Sequence, residues 1–432
     1  MRAPTRASKG RLRAARVCLA GVAGLALWQA DARAQLSSDE VPQARTITAK
    51  ELIDADMQRS RFRLGPVRLI PSIAVTNAGY DSNVFGDSVD PVSDWTFTIR
   101  GGLRFLLPMG TKVYVRAEAL PQYTWYDKLS SRRTYGGVAD ASVYGFFNRM
   151  TVQLSGTGSQ DFALYSTELL ARVLTKSADG LAAFDLLVSQ GIAVFGKGEI
   201  RKVQYDSQGQ LPIFDVALNN RTDSAVRGGV RFRLTGEANV SAAVEQTWSD
   251  FVESPETRNN ESRAYLLGAN YQRPKFYVAL SGGYREGRAR DGSNFPAYST
   301  PTGSFFLSYF PIRWLELQAY GRRVVSYSIS ESVPYYFENQ FGGGMNFQPF
   351  ARLLLRGYAQ GGPNQYPDKT RAQMTLYGGG FSAIVTNSTV LGQPAVLTGL
   401  VTRIDTKSAN SSFDRSVTRF TVGVSFSGEF SR

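Results

Sequence analysis

The sequence contains no histidine, the residue on which much acid–base and metal-site chemistry in proteins depends. Ser-His-Asp and Cys-His systems, histidine general bases and histidine metal ligands are therefore excluded. This absence argues strongly against an enzyme, and we expect no catalytic residue, no metal site and no cofactor.

Cysteine is almost absent too, since Cys18 is the only one. It lies in an N-terminal segment that has a basic start, the apolar run "VCLAGVAGLALW" (17–28) and small residues at Ala32 and Ala34, which is typical of a signal peptide. We expect cleavage after Ala34, so that residues 1–34 are removed and the exported chain has neither thiol nor disulfide. A short N-terminal membrane anchor is the alternative, but a transmembrane helix needs about 20 apolar residues.

The basic excess of the chain is only partly due to this leader. The whole sequence has 49 Lys and Arg against 36 Asp and Glu, and removal of residues 1–34 leaves 42 against 35, a net charge of +7. The basic residues are dispersed along the chain and form no single cluster. We therefore do not expect nucleic acid as a partner.

Residues 35–63 form a polar segment in which "TAKE" (48–51) has the spacing of a capping box. This spacing predicts a short helix from Thr48 to about Gln58. Such a helix either plugs a lumen or is a tethered N-terminal element without functional consequence.

No apolar run of transmembrane-helix length follows Val67, and no further helix is expected. Instead, segments of about ten to sixteen residues alternate apolar and polar positions, with turn residues between them. In "DWTFTIRGGLRF" (94–105), large apolar residues take the odd positions, while threonine and arginine take most even positions. Such a strand has one apolar face and one polar face.

Short and long connections take turns between these segments, as in outer-membrane barrels. The pattern predicts an all-β fold, a transmembrane antiparallel up-and-down β-barrel of about 18 strands over residues 64–432, with 16 strands as the alternative. The predicted location is the Gram-negative outer membrane. A soluble adhesin built of β-sandwiches is a weaker possibility. The expected strands are 67–80, 94–107, 112–127, 132–147, 150–161, 168–188 (irregular), 192–205, 222–235, 239–251, 260–272, 274–287, 298–310, 314–329, 335–348, 351–360, 370–386, 393–406 and 415–430.

The polar registers of these strands contain many arginines, and each would cost about 2–4 kcal/mol if it faced lipid near the membrane midplane. They are therefore expected to face the lumen, make it net basic and attract anions. Tyrosines in the same registers, including Tyr114, Tyr126 and Tyr336, would offer stacking surfaces to sugar rings. The alternative is that these side chains merely fill a wet interior. The predicted substrate path consists of Arg100, Arg104, Arg116, Arg227, Arg231, Arg233, Tyr320, Arg322, Arg356 and Tyr358.

Three segments carry a resemblance to known proteins. "LGPVRLIPSIAVTNAGYDSNVFGD" (64–87) and "DGLAAFDLLVSQGIAVFGKGEIRKVQYD" (179–206) resemble the β-barrel porin 2 type of outer-membrane protein, and "RFTVGVSFSGEF" (419–430) resembles the C-terminal insertion signal of outer-membrane barrels. The resemblance implies a barrel associated with exopolysaccharide or capsule, and it supplies no catalytic residues.

Two functions are consistent with these features. The first is a basic, water-filled passage for the export or passage of an anionic polysaccharide or other small anions. The alternative is a non-conducting outer-membrane barrel that binds or anchors exopolysaccharide or capsule at the cell surface. The expected partners are outer-membrane lipid, the anionic cargo and the outer-membrane barrel assembly machinery.

Overall fold

The alternation of apolar and polar residues gives long antiparallel strands in the computed structural model. The structure describes residues 49–60, 62–206, 215–330, 332–367, 374–390, 393–408 and 414–427. The expected signal peptide and its cleavage site lie outside these residues, as do Thr48 and Phe430. Within the described part, every helix is too short or too polar to cross a membrane.

The elements have the following bounds in the described part of the chain. The helices are α1 (Ala49–Arg59) and α2 (Pro255–Arg258), and the 3₁₀ turns are Ser130–Arg132 and Val216–Asn219. The strands are β1 (Phe62–Leu64), β2 (Val67–Asp81), β3 (Asp94–Met109), β4 (Val113–Tyr126), β5 (Thr134–Phe146), β6 (Met150–Leu164), β7 (Arg172–Ser189), β8 (Ile192–Asp206), β9 (Arg221–Arg233), β10 (Ala238–Phe251), β11 (Asn260–Arg273), β12 (Phe276–Ala289), β13 (Tyr298–Ile312), β14 (Leu315–Tyr327), β15 (Tyr335–Phe350), β16 (Leu353–Gln365), β17 (Met374–Val390), β18 (Gln393–Ser408) and β19 (Arg415–Ser427).

The sheet closes on itself through 18 strands. Each strand from β2 to β19 pairs antiparallel with its sequence neighbour, and β19 pairs back onto β2, with Phe420 opposite Tyr80. The short β1 is a hairpin partner of β2 alone. Closure leaves no sheet edge with unpaired backbone groups, as a strand-built wall in hydrocarbon requires. The prediction of 18 antiparallel strands is thus confirmed, and the alternative of 16 is wrong.

The two ends of the barrel differ in their connections. Those at one end have two to four residues, whereas those at the other have six to fourteen. In outer-membrane barrels the longer loops are on the outside. The beginning of β2 and the end of β19 both lie at the short-turn end, which is therefore the periplasmic one.

The wall has an apolar outer face and a polar inner face. Ile99 and Leu103 on β3 are 44% and 49% exposed, and similar apolar side chains protrude on the same face of the other strands. Arg100 and Arg104 lie on the opposite face of β3 and contact groups inside the barrel. A continuous apolar exterior is the surface that lipid covers, so the architecture is that of an outer-membrane barrel.

Two local features differ from the expectation. The irregular span 168–188 divides into a loop, 165–171, followed by the regular strand β7. Because Leu169 and Leu170 in this loop are buried, they add apolar positions that blur the alternation. The other difference is α2, a single helical turn that begins at Pro255. Proline is well suited to the first position of a helix.

Helix α1 lies inside the barrel, close to the predicted bounds. Its Ile53 is fully buried and packs against Leu106 of β3 and Tyr144 of β5, which face the lumen. The geometry therefore agrees with the lumen-inserted interpretation of the N-terminal segment, while its effect on passage stays a prediction.

Candidate functional site

We call the inner face of β3–β5 beneath α1 the docked wall. It carries a cluster of ion pairs in which carboxylates neutralise the arginines. Arg104 contacts Asp56 of the helix at 3.1 Å and Glu118 at 3.0 Å. Arg116 contacts Glu118 at 2.5 Å, Asp140 at 2.9 Å and Asp56 at 3.5 Å. Three carboxylates thus surround two arginines, so these guanidinium groups have little remaining attraction for an anion.

Arg100 lies on the same face of β3, nearer the long-loop end. Its Nε and Nη2 donate to Oε1 of Gln122 on β4 at 3.0 and 2.6 Å. This bidentate contact orients the guanidinium but supplies no negative charge.

The inner face of β7–β12 also pairs most of its arginines. Arg231 donates to Asp185 at 2.7 Å and lies over the Phe195 ring. Glu245 lies 3.8 Å from Nε of Arg227 and 2.6 Å from Nη2 of Arg285. The paired carboxylates neutralise much of the positive charge on this part of the wall.

Arg233 ends β9 at the short-turn end of the barrel. Its side chain is exposed, and it has no ion pair among the described residues. It therefore lies at the periplasmic opening and is separate from the arginines deeper in the lumen.

The inner face of β14–β17, which we call the open wall, has fewer carboxylates. Arg356 of β16 has two guanidinium nitrogens, Nε and Nη2, without a hydrogen-bond partner among the described residues. Glu316 is the carboxylate that acts on it electrostatically. That carboxylate already accepts hydrogen bonds from Ser308, Gln318 and Asn346. A buried donor left unpaired costs about 1–3 kcal/mol, so Arg356 is a favourable site for an anionic acceptor.

Two tyrosines complete the open wall. An ideal Cβ at Gly342 would lie 2.5 Å from the Tyr320 ring, and one at Gly380 would lie 2.6 Å from the Tyr358 ring. The rings therefore occupy space that only glycine leaves free on the neighbouring strands. The Tyr320 hydroxyl donates to Gln360 at 3.2 Å, while Tyr358 is 37% exposed. Together they form an aromatic surface beside Arg356.

Arg322 lies on the inner face of β14 but is only 5% exposed. It forms an ion pair with Glu338 and donates to Gln340 at 3.1 Å. Tyr126 and Tyr336 are buried as well, packed against loop residues. These side chains share the lumen register but present almost no surface to a passing solute.

The loop of residues 165–171, which we call the mouth loop, crosses to the opposite side of the barrel. Oε1 of Glu168 accepts hydrogen bonds from Tyr366 at 2.6 Å and Ser328 at 3.0 Å, while Oε2 accepts from the Ile329 amide at 2.9 Å. These partners belong to the loops after β14 and β16, so the contacts run through the interior. The mouth loop narrows the outer opening.

A second buried cluster supports this closure. Arg258 of α2 is fully buried and donates to Asn219 at 2.7 Å and to the Ser328 carbonyl at 2.8 Å. Asn219 in turn donates to the Tyr165 hydroxyl at 2.6 Å. Burial raises the pKa of Tyr165 above its usual value, so it remains a neutral phenol. Sequence analysis missed this cluster, for which the only signal was the blurred alternation near Leu169.

The structure thus separates the predicted path residues into groups. Arg356, Tyr358 and Tyr320 come together on the open wall, whereas Arg104 and Arg116 are held in the docked wall. In the part of the chain that the structure describes, no cluster of acidic, cysteine or histidine side chains is suited to a metal ion. The chemistry available is reversible binding of anions through guanidinium and phenol donors.

Comparison with known proteins supports the architecture. No family model matches the chain, and no curated protein matches it either. Among solved structures, it is similar to a BenF-like porin from Pseudomonas fluorescens Pf-5, with a TM-score of 0.53, 9% identity, and coverage of 84% of this chain and 99% of that one. The shared feature is the barrel fold, since the identity is so low.

Two Pseudomonas aeruginosa structures are similar to the same degree. OpdK, solved with vanillate, has a TM-score of 0.51 and 10% identity, and the match covers 83% of this chain and 98% of that one. OccK2 (OpdF), solved in complex with glucuronate, has a TM-score of 0.51 and 9% identity, covering 83% and 97%. The barrel fold of outer-membrane porins is therefore confirmed. Assignment to the β-barrel porin 2 type stays a prediction.

Proposed function

We propose that this chain is an outer-membrane channel that passes small anions along the open wall. The observation that carries the proposal is Arg356, whose guanidinium has unpaired donors beside the Tyr358 ring. An anion that reaches this position gains charge-assisted hydrogen bonds, which are about twice as strong as neutral ones. Passage is passive and follows the concentration gradient.

The preferred cargo has a carboxylate attached to a ring. Arg356 would bind the carboxylate, while Tyr358 and Tyr320 would contact the ring face. Vanillate and glucuronate, found with two of the structural neighbours, are both ring-bearing carboxylic acids, which supports this substrate class. Sugar acids fit it equally well and are the building units of acidic polysaccharides.

The size of the cargo follows from the mouth loop. Because Glu168 joins this loop to the loops after β14 and β16, the outer opening favours monomers and short chains over a bulky polymer. Passage of an anionic polysaccharide would require the mouth loop to move. We therefore propose small sugar acids, rather than the polymer, as the main cargo of the channel.

A second candidate is a non-conducting barrel that holds exopolysaccharide or capsule at the cell surface. The loops around Arg258 and Glu168 favour it, because buried hydrogen bonds join them to one another across the outer opening.

Planar-bilayer recording with the purified protein tests both candidates. The channel predicts ohmic conductance steps, an anion preference, and a concentration-dependent reduction of chloride current by glucuronate. The variant R356Q should lose the glucuronate effect, whereas Arg273→Gln, at the turn between β11 and β12, should retain it. Cation-preferring steps would rule out the open-wall path, and the absence of any conductance would favour the surface-binding barrel.

A further inference from the structure

The outer wall of β6–β9 contains an apolar groove of about 670 Å³. It faces lipid, because its lining includes Leu154, Ile200 and Val226, which are each more than half exposed. The floor is formed by glycines on neighbouring strands, with Gly156 opposite Gly180. Since these glycines have no side chain, the larger residues around them form the groove's sides.

The end of the groove nearest the outer loops has a basic rim. Lys176 lies four residues from Gly180 along β7, and Lys202 lies four residues from Gly198 along β8. Four strand residues span about 13 Å, so each lysine lies about that far along the strand from its glycine, toward the outer loops. Because residues four apart share a face, both lysines project outward on the groove's side.

The two lysines are close and available. Lys176 is opposite Gln204, two residues beyond Lys202 on β8, so the lysines are diagonal neighbours. Both are exposed, and neither has an ion-pair or hydrogen-bond partner among the described residues. On the same face of β8, Asp206 lies two residues beyond Gln204 and is the other diagonal neighbour of Lys176, but it forms no ion pair with either lysine in the described part of the chain.

The two lysines lie at the level of the lipid headgroups, where the barrel wall leaves the hydrocarbon core. Lys176 is opposite Gln160, whose side chain donates to the backbone carbonyl of Tyr135, and Tyr135 is 78% exposed. Exposed tyrosines of this kind form the aromatic girdle at the level of the lipid headgroups. A lipid whose chain lies in the groove therefore has its headgroup beside the lysines.

We propose that this groove binds a phosphorylated glycolipid of the outer leaflet, with one acyl chain along the glycine floor and a phosphate between Lys176 and Lys202. The charge complementarity selects this occupant. A second copy of the barrel would bring the same two lysines to the interface and would have to bury them unpaired, which is costly. A neutral lipid would gain nothing from the basic rim.

The test uses full-length protein in detergent with added bisphosphorylated lipid A, whose binding is followed by native mass spectrometry. The double variant K176E/K202E should lower the bound fraction at least tenfold. Gly198→Leu should do the same, since a side chain at Gly198 points into open space and would fill the groove.

Two matched variants serve as controls. Lys407→Glu changes an exposed lysine of β18 that is paired with Asp414, and Gly399→Leu adds a side chain at another open glycine of β18. Both should bind lipid A as the parent protein does. Equal binding of dephosphorylated lipid A, or undiminished binding by K176E/K202E, would overturn the proposal. So would a dimer that G198L dissociates, because the groove would then be an interface between copies.

Discussion

The docked wall and the open wall both present arginines to the lumen, yet they differ in how many carboxylates contact those arginines. On the docked wall, Asp56, Glu118 and Asp140 lie within 3.5 Å of Arg104 or Arg116. On the open wall, two nitrogens of Arg356 lack a protein partner among the described residues. The comparison teaches that counting arginines does not locate an anion site. What matters is which carboxylate, if any, each one contacts.

The difference has two structural sources. Helix α1 supplies Asp56 to the docked wall, a carboxylate that no barrel strand provides. The open wall instead contains glycines such as Gly342 and Gly380, which make room for tyrosine rings. One wall is therefore packed for stability, while the other combines buried arginine donors that lack a protein partner among the described residues with a partly exposed tyrosine ring.

The largest expected effect is on the docked wall. Asp56→Ala removes a carboxylate that is 1% exposed and contacts both arginines. Breaking one partner out of a buried ion pair costs about 3 kcal/mol, which shifts the docking equilibrium of α1 by about a hundredfold. Hydrogen exchange of residues 49–59 in the detergent-solubilised protein should accelerate accordingly, and single-channel conductance should rise as α1 leaves the lumen.

The control for this variant lies on the same helix. Asp54 is exposed, and Asp54→Ala removes the same chemical group without touching the arginines. It should leave the exchange rates of residues 49–59 within about twofold of the parent. If the two variants exchange alike, the ion-pair cluster does not hold the helix.

The next effect is on the open wall. Arg356→Glu replaces a cation that has few protein partners by an anion, so chloride permeability relative to potassium should fall about tenfold, which corresponds to about 1.4 kcal/mol. Reversal potentials in a salt gradient measure this ratio. Arg273→Glu makes the same change in net charge at an exposed periplasmic turn and should alter the ratio less than twofold. An equal response to both changes would mean that bulk charge, rather than the open wall, sets selectivity.

Much of the barrel could be predicted from the sequence, because the alternation of apolar and polar residues that marks each strand is a local pattern. A period of two is visible within each strand, so the strand count and most boundaries followed directly from the alternation. The capping-box spacing likewise predicted α1. These features depend on neighbours within a few residues along the chain.

The distribution of paired and unpaired arginines could not be predicted in this way. Arg322 and Arg356 both take inward-facing positions of their strands, yet Arg322 forms an ion pair with Glu338, whereas two nitrogens of Arg356 lack a hydrogen-bond partner among the described residues. The mouth loop is a further case, since Glu168 meets Ser328 at a separation of 160 residues. Contacts across the barrel depend on strand tilt and loop path, which leave no periodic signal.

A smaller effect is expected from the aromatic part of the open wall. Tyr358→Ala removes a ring beside Arg356 and should weaken the block of chloride current by ring-bearing carboxylates about fivefold, since an aromatic contact contributes about 1 kcal/mol. Acetate, which has no ring, should be unaffected. Tyr377→Ala, a matched change on the lipid-facing side of β17, is the control. A loss of acetate binding would indicate that Arg356 itself had moved.

The smallest effect comes from a pair of variants that distinguishes the two walls most directly, because each wall receives the same Glu→Gln substitution. Glu316→Gln removes the negative charge that acts on Arg356, and a charge about 8 Å from an anion in water contributes about 0.5 kcal/mol. Anion preference should therefore rise about twofold with only a small loss of stability, because the amide oxygen still accepts from Ser308 and Gln318 and only the hydrogen bond from Asn346 is lost. Glu118→Gln on the docked wall should instead lower the unfolding temperature, because it removes a charge that pairs with both Arg104 and Arg116. If Glu316→Gln destabilises the barrel as much as Glu118→Gln does, the carboxylate of the open wall is structural as well, and the contrast between the walls is lost.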